Sequence, residues 1–73
     1  MSYLLYGTTH CHLCEEAQAL VAGCGIAATH VDIANDDALL ERYGVRIPVL
    51  FRTADGAELG WPFDAERVRR FCG

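Results

Sequence analysis

Two cysteines near the N-terminus have the spacing of a redox dithiol. Cys11 and Cys14 are separated by two residues. If Cys11 lies in the first turn of a helix, Cys14 shares its face, and a modest rotation brings the two sulfurs together. The unpaired N–H groups and the dipole at a helix N-terminus favour the thiolate, which is the nucleophile in thiol–disulfide exchange. The pattern predicts Cys11 as the attacking thiol and Cys14 as the resolving thiol.

The same short stretch is also compatible with metal binding. His10, Cys11, His12 and Cys14 place two imidazoles and two thiols within five residues, a donor set that suits zinc, copper(I) or an iron–sulfur cluster. Four ligands so close in sequence cannot easily surround one tetrahedral ion, so the site would have to be shared between two chains. Metal or cluster binding is therefore the second hypothesis. A third is a non-catalytic adaptor whose surface binds a partner protein, because a fold does not establish a function.

Composition and charge limit the class of protein and its partners. The chain has 73 residues, enough for one domain spanning 1–73, and its 52% hydrophobic and 22% charged residues are typical of a globular protein. A net charge of −4, with six basic residues and no basic run, argues against nucleic acid and anionic membranes as partners. No apolar segment is long enough for a secretory signal or a membrane span, so we expect a cytoplasmic protein, and a monomer. In a reducing compartment, a structural framework of disulfides is not expected.

Apolar periodicity and turn signals predict four strands and three helices around the dithiol. The predicted strands are residues 3–6, 26–33, 49–53 and 57–61. The predicted helices begin at Cys11, after the sequence Asn35-Asp36-Asp37, and after Asp64 as N-cap. Asp55-Gly56 predicts a two-residue hairpin between the last two strands.

The predicted helices carry apolar stripes that should face the core. In the first helix the stripe comprises Leu13, Ala17, Leu20, Val21 and Cys24. In the second it comprises Leu39, Leu40 and Tyr43, and Gly44 is expected in the left-handed conformation that ends many helices. In the third it comprises Ala65, Val68, Phe71 and Cys72, so Cys24 and Cys72 are expected to be packed thiols.

Two segments and the order of elements resemble a known family. Residues 6–14, YGTTHCHLC, are similar to the active-site segment of glutaredoxins, and residues 46–51, RIPVLF, resemble their segment around a cis-proline. The likeness covers essentially the whole chain and identifies it as a short glutaredoxin-like protein of the thioredoxin superfamily. It implies an α/β fold with a four-stranded mixed sheet of order 2-1-3-4 and three helices. The first and last helices would lie on one face, the middle helix on the other, and Pro48 would be cis.

The resemblance also implies a substrate site, with departures that bear on glutathione. Ile47 and Pro48 would lie opposite the dithiol, where the backbone of Ile47 binds a substrate chain as an added strand does. Thr8 and His12 stand where glutaredoxins usually have a basic residue and a proline. Arg46 is expected to face the dithiol and replace the missing charge. Trp61 stands where the family has a glycine, and is expected to wall the site against glutathione.

These features predict a thiol–disulfide oxidoreductase that acts on protein disulfides through Cys11 and Cys14. The expected partners are protein disulfide substrates or a reductase. No metal or resident cofactor is expected, and glutathione is left open as a reductant.

Overall fold

The computed structural model describes residues 2–73. The strands are β1 (Tyr3–Gly7), β2 (Ala28–Asp32), β3 (Val49–Arg52) and β4 (Glu58–Gly60). The helices are α1 (His12–Gly23), α2 (Asp37–Tyr43) and α3 (Ala65–Cys72), and a short 3₁₀ turn covers Ile33–Asn35. Within the described range, none of the helices is both long enough and apolar enough to cross a membrane.

The four strands form one mixed sheet in the order β2-β1-β3-β4. β1 runs parallel to β2, whereas the β1–β3 and β3–β4 pairs are antiparallel. The α/β class, the strand order 2-1-3-4 and the three helices are thus confirmed. β1 is a central strand, between β2 and β3. The loop that leads to the dithiol therefore leaves the sheet at the C-terminal end of β1, between its two neighbours.

Side chains of alternate residues in the central strands face opposite layers of the core. On one side, Tyr3, Leu5 and Leu50 pack with Ala17 and Val21 of α1 and with Val68 of α3. On the other side, Tyr6 and Val49 pack with Ile33 and with Tyr43 of α2. The first and last helices therefore cover one face of the sheet and α2 covers the other, as the resemblance implied.

Two helix N-termini follow the sequence signals. Asp36 and Asp64 are N-caps, and their carboxylates accept hydrogen bonds from the backbone N–H groups of Leu39 at 3.1 Å and Arg67 at 2.9 Å. Each bond satisfies one of the N–H groups that a helix start leaves unpaired. α2 and α3 therefore begin where the predicted caps place them.

The end of the second strand and the end of the second helix differ from prediction. β2 stops at Asp32 because its carboxylate accepts a hydrogen bond from Ala34 N at 2.9 Å and starts the 3₁₀ turn. Gly44 is right-handed, with φ −51° and ψ −37°, so the predicted left-handed cap is wrong. The turn continues instead, since Arg46 N and Ile47 N both donate to the carbonyl of Tyr43.

The predicted buried stripes of α1 and α2 are too long. Leu13 is 45% exposed and Leu40 46% exposed, although both were expected to face the core. In α1 the fully buried residues are Ala17 and Val21, so the buried stripe begins one turn after Leu13. The first turn of α1, which carries Cys14, thus lies at the surface.

The hairpin between β3 and β4 has a four-residue loop, not the predicted two-residue one. Arg52 N donates to Ala57 O at 2.9 Å, which closes the loop around residues 53–56. Gly56 has φ +76°, a conformation that glycine adopts without strain. The carboxylate of Asp55 binds Arg52 through two hydrogen bonds of 2.9 Å and also accepts from Ala57 N at 3.1 Å. These side-chain bonds stabilise the longer loop.

Candidate active site

Cys11 and Cys14 lie at disulfide distance, with their Cα atoms 5.2 Å apart. Cys11 is the N-cap of α1, one residue before the helix, with extended backbone angles. The backbone N–H of Cys14 donates to Cys11 Sγ at 3.2 Å. The Cys11 sulfur therefore accepts a helix N-terminal hydrogen bond at the positive end of the helix dipole. Both features stabilise negative charge on Cys11.

Strand register places four residues side by side at the end of the sheet from which the dithiol loop leaves. At the end of β1, Gly7 pairs with Asp32 of β2. Tyr6 pairs with Val49, so the register brings the preceding Pro48 level with Gly7. Trp61 N donates to Pro48 O at 3.2 Å. We call this row, made up of Asp32, Gly7, Pro48 and Trp61, the dithiol edge.

The Ile47-Pro48 segment has one backbone acceptor to offer. The Ile47–Pro48 peptide bond is cis, and so is Trp61–Pro62. Ile47 N donates to Tyr43 O at 3.1 Å, and Pro48 O already accepts from Trp61 N. Among residues 2–73, no hydrogen bond reaches the carbonyl of Ile47. This carbonyl is therefore the group that a substrate backbone N–H could bind.

Sequence reasoning treated Gly7 only as the end of a strand, yet it lies against the dithiol. A β-carbon at Gly7 would stand 3.1 Å from Cys14 Sγ and 3.2 Å from Cys14 Cβ. Such contacts are tighter than those of nearly all real side chains, so Cys14 fits where it does because residue 7 has no side chain. A glycine directly before a dithiol loop was the available signal.

A cleft of about 420 Å³ opens beside Cys14, on the β2 side of the dithiol. It lies between the end of β1, the loop of residues 8–10, the first half of α1 and the end of β2. Its lining includes Thr8, His10, Cys14, Glu15, His30 and Asp32. Thr8 was a predicted site residue, whereas His30 carried no predicted role. His10 has φ +59°, which is uncommon outside glycine and marks a constrained turn in this loop.

Arg46 and His12 lie in different surroundings. Instead of standing free beside the dithiol, Arg46 donates from Nη2 to Glu58 Oε1 at 3.0 Å, and its guanidinium lies over the Tyr43 ring. Its charge is therefore already paired. His12 is exposed at the start of α1, with ring nitrogens 3.8 Å from the carboxylates of Glu15 and Glu16.

Trp61 joins the dithiol edge to the core. Its ring is half-buried and meets Phe63 edge to face, with centroids 5.0 Å apart. It also packs against the core layer that α1 and α3 cover. Trp61 thus has a packing role as well as a position next to Pro48.

The metal hypothesis gains no preformed site. Within the part of the chain that the structure describes, no three His, Cys, Asp or Glu side chains are grouped so as to hold a metal ion. That hypothesis therefore depends entirely on a site shared between two chains.

The other two cysteines are free thiols at the far side of the core. Cys24 and Cys72 are both half-buried, and the Cys24 thiol donates to Ala65 O at 3.7 Å. Burial raises the pKa of the Cys72 thiol above its ordinary value. Neither cysteine is at a helix N-terminus, where Cys11 lies.

A protein family and several solved structures are similar to this chain over nearly its whole length. The family described as glutaredoxin-like domain (DUF836) matches residues 3–72. The X-ray structure of target protein XcR50 from X. campestris is 42% identical, covers 97% of this chain and 95% of its own, and superposes with a TM-score of 0.90. The solution structure of XcR50 gives 42% identity, 99% and 92% coverage, and a TM-score of 0.87.

A structure with lower sequence identity has the same fold. The solution structure of Ne2328 from Nitrosomonas europaea is 27% identical, covers 96% of this chain and 88% of its own, and has a TM-score of 0.73. A comparison with curated proteins finds none that matches. Since the family covers nearly the whole length of the chain, this protein belongs to the glutaredoxin-like domain (DUF836) family.

Proposed function

We propose that this protein is a thiol–disulfide oxidoreductase that reduces protein disulfides, with Cys11 as nucleophile and Cys14 as resolving thiol. The observation that carries the proposal is the dithiol itself. The two sulfurs lie at disulfide distance, and only Cys11 holds the N-cap position, where its sulfur accepts the hydrogen bond from Cys14 N. That asymmetry favours Cys11 as the thiolate that attacks.

The reaction consists of two exchange steps. The Cys11 thiolate attacks one sulfur of the substrate disulfide, which forms a mixed disulfide and releases the other substrate sulfur as a thiolate that takes up a proton. Cys14 then loses its proton and attacks the Cys11 sulfur, which releases the second substrate thiol. The substrate disulfide gains two electrons and two protons, and the dithiol becomes the Cys11–Cys14 disulfide.

The dithiol edge supplies a surface for an extended substrate segment. The carbonyl of Ile47 is free to accept a backbone N–H, whereas Pro48 has no N–H and its carbonyl binds Trp61. A substrate chain would therefore be held by one backbone hydrogen bond and by apolar contact with Trp61, whose flat ring suits such a surface. Glutathione, which glutaredoxins bind against glycines, would meet the Trp61 side chain here.

We place this activity in the cytoplasm, on a monomeric protein. Cys24 and Cys72 are free thiols, a state that a reducing compartment maintains. Six arginines against ten acidic residues give a net charge of −4, which disfavours nucleic acid as a partner.

The decisive experiment traps the mixed disulfide. In a background of Cys24→Ser and Cys72→Ser, Cys14→Ser protein should accumulate a disulfide between Cys11 and a substrate protein in lysate. The matched Cys11→Ser protein should trap little, because Cys14 lacks the N-cap hydrogen bond. Mass spectrometry then identifies what is attached. If both variants trap equally, and the reduced wild type reduces a model disulfide protein no faster than a free thiol does, the proposal is wrong.

A further inference from the structure

Only one of the two cysteines of the dithiol lines the cleft beside it. Cys14 lines it and Cys11 does not. Gly7 also lines it, and the nearest side-chain atom to the open position at Gly7 is Cys14 Sγ. At about 420 Å³, the cleft lies in the size range of small-molecule sites. A small molecule in the cleft would therefore contact Cys14 and not Cys11.

The structure holds the dithiol with its sulfurs paired, and this is the form that a reductant meets. A thiolate that reduces a disulfide attacks one sulfur and expels the other, and the sulfur that better bears negative charge leaves faster. Cys11 is that better leaving group, because it is the N-cap of α1 and accepts the hydrogen bond from Cys14 N. Attack on Cys14 is thus favoured by the leaving group as well as by access.

We infer that the cleft is the entry site for a low-molecular-weight thiol that reduces the oxidised protein by attacking Cys14, away from the surface where the protein substrate binds. This inference rests on the proposed function. In this scheme the two sulfurs react with different partners. The Cys11 thiolate attacks substrate disulfides, and the small-molecule thiol that reduces the oxidised protein attacks Cys14.

The regeneration balances with two molecules of thiol. The first thiolate forms a disulfide with Cys14 and displaces Cys11 as a thiolate. A second thiolate attacks the sulfur of the bound small molecule, which leaves as a symmetrical disulfide and releases the Cys14 thiolate. Two small thiols are oxidised to one disulfide, and the protein disulfide becomes a dithiol.

Charge in the cleft selects the class of thiol. Glu15 and Asp32 line the cleft, and none of the six arginines does. Among residues 2–73, the arginine ion pairs are those of Arg42 and Arg46 with Glu58, Arg52 with Asp55 and Arg70 with Glu66. The two cleft carboxylates are therefore not neutralised by arginine, and the basic groups near them are the imidazoles of His10 and His30 in the lining and of His12, 3.8 Å from Glu15. A neutral or amine-bearing thiol enters this cleft more readily than a thiol with carboxylates, such as glutathione.

Rapid alkylation followed by mass spectrometry identifies which of the two cysteine sulfurs the small-molecule thiol attacks. Oxidised protein is mixed with 2-mercaptoethylamine and quenched within milliseconds to seconds by N-ethylmaleimide, which alkylates whichever cysteine was released. Tandem mass spectrometry should find the amine thiol on Cys14 and the maleimide on Cys11 at the earliest times. The reverse pattern at the earliest times overturns the inference, whereas the trapping experiment on Cys11 would still decide the proposed function.

The role of the cleft is tested with thiols of matched size. Rates per thiolate are compared for 2-mercaptoethylamine, 2-mercaptoethanol and 2-mercaptoethanesulfonate, at pH 8, where imidazoles are ordinarily neutral. Glu15→Gln and Asp32→Asn should each reduce the preference for the amine over the sulfonate by roughly two- to fivefold. Glu16→Gln is the matched control, because Glu16 is on the same helix but does not line the cleft. Equal changes in all three variants would mean that the effect comes from net charge, and would overturn the assignment of the cleft.

Discussion

The hydroxyl of Tyr43 donates a hydrogen bond to the carboxylate of Glu58, which joins the end of α2 to β4. Arg46 binds the same carboxylate at 3.0 Å, and Tyr43 O accepts from Ile47 N. The Tyr43 ring is buried and stacks on Tyr6, with centroids 4.7 Å apart. Through these contacts, Tyr43 and Glu58 fix the loop that presents Ile47 to the dithiol edge.

Tyr43→Phe should therefore destabilise the protein by about 1–3 kcal/mol at neutral pH, because it removes a donor from a half-buried carboxylate. The hydrogen bond from Tyr43 holds the pKa of Glu58 below its ordinary value. The contribution is thus present above the ordinary glutamate pKa and is lost as pH falls through the lower folded value. Urea unfolding at pH 7 and pH 3 measures this, and the loss should be smaller at pH 3. Tyr6→Phe is the control, since within residues 2–73 its hydroxyl has no hydrogen-bond partner.

Gly7→Ala should impair the resolving step. The new methyl group would stand 3.1 Å from Cys14 Sγ, so Cys14 must move by a few tenths of an ångström and its geometry relative to Cys11 changes. We expect intramolecular release of a mixed disulfide at Cys11 to slow roughly tenfold, because small misplacements of reacting groups are costly. Stopped-flow kinetics with a small disulfide measures the step. Gly60→Ala, a strand-end glycine with open space around it, should react at the wild-type rate. Equal rates for both variants would argue against a tight fit at Gly7.

Asp55→Asn should remove an acid-sensitive contribution to stability. The hydrogen bonds from Arg52 lower the pKa of Asp55 to about 2. A carboxylate with a lowered folded pKa stabilises the protein above its unfolded pKa of about 4, and the effect disappears as pH falls towards 2. The wild type should therefore lose more stability than Asp55→Asn between pH 5 and pH 2, as measured by urea midpoints. Asparagine can still accept from Ala57 N, so the turn is retained, and Glu41→Gln controls for net charge.

Trp61→Gly should raise activity towards glutathionylated substrates, because it removes the large side chain of the residue whose backbone N–H binds Pro48 O. Trp61→Phe keeps a flat ring on Phe63 and should behave like the wild type. Turnover of a glutathionylated peptide measures this, with urea midpoints to correct for the packing lost against Phe63. Rapid glutathione turnover by the wild type itself would refute the idea. As Trp61 is the single tryptophan, its fluorescence should also differ between the dithiol and disulfide forms.

In the reduced protein, iodoacetamide should alkylate Cys11 first. Its sulfur sits at the N-cap of α1, whereas Cys24 and Cys72 are half-buried and lie at the C-terminal ends of α1 and α3. Burial raises the pKa of Cys72. Its alkylation should therefore become fast only at a pH above the pKa of an ordinary thiol. Time-resolved mass spectrometry of each cysteine checks the order. Similar rates at pH 7 for all four cysteines would contradict the assignment of Cys11 as nucleophile.

Local pattern was sufficient to predict the elements and the reactive pair. The C-x-x-C spacing, the glycine before the loop and the capping residues Asp36 and Asp64 act within a few residues, so their consequences follow from backbone geometry alone. The apolar run of residues 3–6 indicates a buried strand, and the stripe around Ala17 and Val21 indicates which face of α1 is buried. The strand order and the two helix layers came from the resemblance of two motifs to those of glutaredoxins and not from these local signals.

Only the tertiary structure decided which partners the site residues have. Arg46 pairs with Glu58, twelve residues away, and Gly7 contacts Cys14 across the loop that joins β1 to α1. Leu13 is exposed because the buried stripe of α1 begins one turn later. The cleft that reaches Cys14 but not Cys11 is built from β1, α1 and β2 at once. Contacts between distant segments depend on how the elements pack, and this information is absent from local sequence pattern.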